Sequence, residues 1–138
     1  MEGKRLLHHP DVDIAPVLEA LVEMIEPRLP QSFGLRSSES SLFVESGAGN
    51  GEWIPFVIDE DVAAFEVIEV GLSRLQDIIS TTLAEPWPAK RADGEIELFR
   101  VHASETVLTV SCDGQEWGSV NLEKLGLDEA TRRAFGRT

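Results

Sequence analysis

A chain of 138 residues with 42% hydrophobic content can bury about two thirds of its unfolded surface, so one globular domain over residues 1–138 is expected. Its 25 acidic against 12 basic residues give a formal charge of −13, which repels phosphate backbones and anionic membranes and so excludes nucleic acid as a partner. The single Cys112 excludes an internal disulfide framework, no apolar run reaches the ~18 residues of a membrane span, and Leu6 and Leu7 run at once into His8, His9 and Pro10 instead of opening a leader. A cytoplasmic protein is the expectation.

In chain order, residues 1–10 show no periodicity and are expected to fray. Ile14, Val17, Leu18, Leu21, Met24 and Ile25 then recur at helical spacing. With Pro16 tolerable in the first turn and Pro27 a stop, they predict a helix from about Asp13 to Glu26 that turns Glu19, Glu23 and Glu26 to water. After the connector Pro27 to Ser32 the pattern shortens to Phe33–Leu35, Leu42–Val44 and Trp53–Ile58, which read as short strands. Gly47-Ala-Gly-Asn-Gly51 suits a hairpin loop between the last two. Pro55 cannot donate to a ladder, which puts its strand at an edge or a bulge.

Ile58 to Pro88 reads as the long central helix. At ~100° per residue, Val67, Ile78, Leu75, Ile68, Ile79, Leu72, Phe65 and Leu83 fill an arc of roughly 160°, opposite Glu69, Gln76, Ser73, Ser80, Glu66 and Asp77. An arc that wide predicts contact with a sheet and at least one further element. Asp59 is a candidate N-cap, Glu60 and Asp61 suit the positive helix end, and Ile58 could staple against Ala63. Pro86 and Pro88 end the helix. Glu95 to Ala103 and Thr106 to Cys112 follow as strands. Asp113-Gly114 predicts a two-residue hairpin into Gln115 to Leu122, and a final helix runs from Asp128 to Phe135, with Asp128 as N-cap and Gly136 as stop. The class is α+β, with antiparallel sheet or sheets packed on the central helix in the order α-βββ-α-βββ-α.

Residues that could carry chemistry are few. The glycine loop lacks the Lys-Ser/Thr of a P-loop and joins strands instead of opening a helix. His8 and His9 with Asp11 and Asp13 have no further ligand at metal spacing. Asp59, Glu60 and Asp61 lack the loop that calcium requires. Cys112 and His102 lie on neighbouring strands with nothing nearby to mark an oxyanion hole, so a small buried hydrophobe is the expected role of the cysteine. No catalytic, cofactor-binding or metal-ligating residue is put forward.

Leu75-Gln-Asp77 followed by Glu85-Pro-Trp-Pro88 resembles the corresponding part of small uncharacterised bacterial proteins in which a helix ends in Trp-Pro before a β-hairpin. The Cys and His that such proteins carry after Trp-Pro are replaced here by Ala89-Lys-Arg91, so the resemblance implies no metal. In element order and acidity the chain also resembles the small dimeric secretion chaperones of the type III kind, a likeness of layout only.

The expectation is therefore a non-enzymatic interaction domain, acidic, of which a chaperone-, immunity- or antitoxin-like adaptor is an example. Its partner would be another protein of basic character, and the likeness to the dimeric secretion chaperones implies a homodimer. No Lys or Arg occurs between Arg36 and Arg74, and within that stretch Glu66 and Glu69 lie on the polar side of the central helix. Glu66, Glu69, Trp87 and Trp117 are the candidate partner-binding residues, the tryptophans as rigid anchors whose commoner fate is the core. The alternative is a small-molecule or enzymatic domain with its pocket between the central helix and the sheet.

Overall fold

The computed structural model describes residues 13–47, 49–58, 62–85, 87–88, 98–112 and 115–136. Helix α1, Ala15–Ile25, is followed by strands β1, Phe33–Ser38, β2, Ser41–Ser46, and β3, Gly51–Pro55. The central helix α2 spans Ala64–Leu83. Strands β4, Phe99–Ala103, β5, Val107–Cys112, and β6, Gln115–Asn121, then precede helix α3, Glu129–Gly136. The strands form two antiparallel three-stranded sheets, ordered β1-β2-β3 and β4-β5-β6. The α+β class and the element order match the sequence expectation.

Alternation along the strands decides which face is covered. In the first sheet Leu35, Leu42, Val44 and Ile54 are buried, whereas Arg36, Glu45 and Trp53 are exposed. In the second, Phe99, Val101, Leu108, Val110, Cys112 and Val120 are buried. These join Val17, Leu18, Leu21 and Ile25 of α1 and Ile68, Leu72, Leu75 and Ile79 of α2 in one contiguous core. Helix α1 packs on β1, β2 and β6, while α2 packs on β3, β4 and α3. The broad apolar arc of α2 thus serves two sheets, as its width requires.

The start of α2 differs from the sequence reading. Its N-cap is Ala63, with no side-chain cap, and Glu66 is the acidic residue of its first turn. Phe56 and Ile58, both buried, follow β3 outside any helix, and α2, of 20 residues, begins at Ala64. Asp59, Glu60 and Asp61 lie outside the described residues, as do residues 1–12. Gln76, placed on the polar arc, is only 3% exposed, because β4 packs along that side of the helix. At the other end Ala84 takes a left-handed conformation, φ +60°, and Glu85 N–H donates to Ser80 O at 3.2 Å, closing the last turn in the 6→1 manner of a Schellman motif.

In the second sheet, Val110 faces Gly118 and Ser111 faces Glu116, which leaves Trp117 as the extra residue of a β-bulge. The bulge turns the indole inward, 5.0 Å from Phe99 and 6.0 Å from Trp87. Cys112 pairs with Gln115, so β5 and β6 flank Asp113-Gly114 as expected. The two turn residues themselves lie outside the described residues. Asp128 caps α3 through its Oδ1, which accepts the Thr131 N–H at 2.8 Å.

Candidate functional site

The edges of the two sheets are treated differently, and the site follows from that difference. Ser46 N–H donates to Asn50 O and Phe56 N–H to Ser40 O, both at 2.8 Å, while Val44 and Leu42 pair with Glu52 and Ile54. Hydrogen-bonded pairs alternate in an antiparallel ladder, so residues 50, 52, 54 and 56 turn their backbone groups to β2. Gly51, Trp53 and Pro55 turn theirs outward. No described strand pairs with that outer edge. Pro55, expected at an edge or a bulge, is at an edge, in a position where its missing N–H removes no ladder bond.

The same parity applied to β4 gives the opposite outcome. Ser104 N–H donates to Val107 O, and with Val101 opposite Val110 the Val101 N–H must point away from β5. Glu69 of α2 reaches it. The Glu69 carboxylate accepts that N–H at 3.3 Å and stands 3.7 Å from Arg100 Nη1, so the helix shields the β4 edge with a side chain.

Beside the outer edge of β3 lies a groove of about 370 Å³ lined by Ile54, Pro55, Val62, Glu66, Val67, Val70, Gly71 and Arg74. Positions 66, 67, 70, 71 and 74 share one side of α2 by helical spacing. Gly71 lets the helix approach, since a Cβ there would stand 2.1 Å from Phe56 Cε2. Val70 on α2 is 70% exposed, and Val57 and Trp53, just past and within β3, are 52% and 47% exposed, large hydrophobic side chains left to solvent on the two elements that flank the groove. Arg74 is engaged by Glu52. Glu66, exposed on the rim, has no ion pair with a described residue. Among the described residues the lining holds no His, Cys, Ser or Thr, and it offers apolar contact, backbone groups and the carboxylate of Glu66.

The four sequence candidates separate. Glu66 lines the groove. Glu69 is used inside the molecule against β4. Trp87 is 5% exposed, its backbone N–H donating to Ser80 Oγ at 3.0 Å, and Trp117 is half-buried beside it under the Arg28 guanidinium, 4.7 Å from the ring. The two tryptophans are thus brought together in the core margin, away from the groove lining. Cys112 is buried on the inner face of its sheet while His102 is exposed on the outer face, so they form no pair. Among the described residues no group of three or more His, Cys, Asp or Glu could hold a metal ion, and no helix is long and apolar enough to cross a membrane.

Val70, Val57 and Trp53 were not singled out by the sequence reading. A signal existed for Val70, which falls roughly 20° from Asp77 at ~100° per residue, an apolar residue on the polar arc. Trp53 and Val57 alternate with the buried Ile54, Phe56 and Ile58, and period two alone assigns them to the outer side.

The chain matches no family model, no curated protein and no solved structure.

Proposed function

We propose that the chain is a non-enzymatic, acidic protein-interaction domain, an adaptor of the chaperone, immunity or antitoxin kind, that holds a partner protein in the groove between β3 and α2. One observation carries this reading: Val70 lies exposed in a groove beside a strand edge with no described strand against it, and the large apolar side chains of Trp53 and Val57, in and just past that strand, are exposed as well. Surfaces of that kind are where proteins meet other chains. The acidic rim at Glu66 and the net charge of −13 favour a basic partner and slow encounters with acidic ones.

The test begins with a partner obtained by co-purification and measures its affinity for Val70→Asp. Residue 70 is exposed, so the substitution should change stability by no more than ~0.5 kcal/mol, while a charge in the centre of the contact should weaken binding about tenfold or more. Undiminished affinity of a folded Val70→Asp variant overturns the reading.

A further inference from the structure

Granting that the groove binds a protein, we propose that its occupant is an extended, basic segment of the partner that adds to the outer edge of β3 as a fourth strand. The edge offers the N–H and C=O of Gly51 and Trp53 and the C=O of Pro55, by the parity of the β2–β3 ladder. An added strand running ~4.8 Å from β3 reaches these groups with its own backbone. Its alternate side chains then divide. One set enters the groove against Val67 and Val70, and the other lies over the exposed Trp53 indole, which packs on Phe43 with ring centroids 4.7 Å apart.

Two comparisons within the molecule favour this occupant. The β4 edge is occupied by the Glu69 carboxylate, whereas no side chain bonded to the outward groups of β3 is found among the described residues, so only one of these edges stands ready for pairing. Charge selects the class of segment. Arg74 is held by Glu52, which leaves Glu66 as the uncompensated charge among the described residues of the groove, and a Lys or Arg of the incoming strand complements it. A second copy of the chain would bring another −13 and a second Glu66 to the same edge, which like-charge repulsion opposes.

The probe is an alternating valine–lysine peptide of about ten residues, a copy N-methylated at every second residue, and a valine–glutamate counterpart. The valine–lysine peptide should bind, slow amide exchange at Gly51 and Trp53, and exceed the other two by about tenfold or more in affinity. Trp53→Pro removes an outward donor without removing a bond to β2, and Trp53→Val is its control, since both lack the indole and only one lacks the N–H. The proline variant should bind the peptide about tenfold more weakly than the valine variant. If Trp53→Pro does not fold, the methylated peptide decides. Equal affinities within either pair, or no protection at Gly51 and Trp53, overturn strand addition, as does failure of the valine–lysine peptide to bind. A dimer in solution that Trp53→Pro disperses would place a second copy on the edge and overturn the basic segment. Loss of the co-purified partner on Val70→Asp but not on Trp53→Pro would overturn strand addition while leaving the protein-binding reading intact.

Discussion

Gly71 sits in the middle of α2 although glycine is ~1 kcal/mol worse than alanine in a helix interior. Packing explains it. The Phe56 ring occupies the space of a side chain at 71, with Cε2 2.1 Å and Cζ 2.4 Å from where a Cβ would be, and Phe56 is itself buried, so it has nowhere to go. Gly71→Ala is therefore expected to lower stability by ~1–3 kcal/mol through overpacking, against its helix propensity. Denaturant unfolding checks the sign, and a more stable variant would mean the ring can move aside. Two other residues point the opposite way. Glu39, φ +54°, and Ala84, φ +60°, hold a conformation that costs an L-residue ~1–2 kcal/mol. Ala84→Gly should raise stability by ~0.5–1 kcal/mol, the relief less part of the extra unfolded-state entropy of glycine, and Glu39→Gly should behave alike. A loss on either change would show that the native side chain makes contacts worth more than the strain.

At the scale of elements, α2 ties the two sheets together by Arg74 to Glu52 of β3 and Glu69 to Val101 of β4. Glu69→Ala should expose the Val101 N–H and speed its exchange, while Glu69→Gln, which keeps an acceptor oxygen, should retain most of the protection. Equal exchange in the three proteins would remove the edge-shielding role. Helix α3 carries a pH-sensitive contact. The Thr131 backbone N–H and hydroxyl beside Asp128 hold its carboxyl below the ordinary carboxylate range. A depressed folded-state pKa contributes stability above the unfolded value, and that contribution is lost as the pH falls through the folded one. Protection of the Thr131 amide should thus fall on acidification below the ordinary carboxylate range, and less so in Asp128→Asn, which caps without titrating. Identical acid profiles would assign the loss to other carboxylates. This cap was legible because Asp128 immediately precedes a helical run and Gly136 ends it. The start of α2 was not legible: Asp59 has N-cap chemistry, but the N-cap is Ala63, which has no side chain to cap with, and the burial of Phe56 and Ile58 is a tertiary demand that local pattern does not announce.

For the whole molecule, α+β order and the principal buried faces were legible, since period 3.6 and period two both survive in the finished structure. The site was only half legible. Glu66 could be chosen from the charge gap between Arg36 and Arg74, but nothing local says that Glu69 bonds to a strand more than thirty residues away, or that a bulge turns Trp117 inward. Those placements also bear on the acidity itself. Of the two glutamates put forward as partner-binding residues, Glu69 is partly neutralised by Arg100, which leaves Glu66 to act on an approaching basic segment. If the groove steers its partner, the on-rate should fall as ionic strength rises past ~0.1 M, where the Debye length is ~10 Å. Glu66→Gln should then slow association about twofold more than Glu123→Gln, which removes the same charge from an exposed site in the turn after β6 and outside the groove lining. Exposed charges contribute little to folding, so both variants should unfold as the parent does. Equal slowing by the two would mean that the partner senses total charge and not the groove. Salt-independent rates for all three proteins would mean that the acidity serves solubility, leaving the apolar contact at Val70 and Val57 to carry recognition alone.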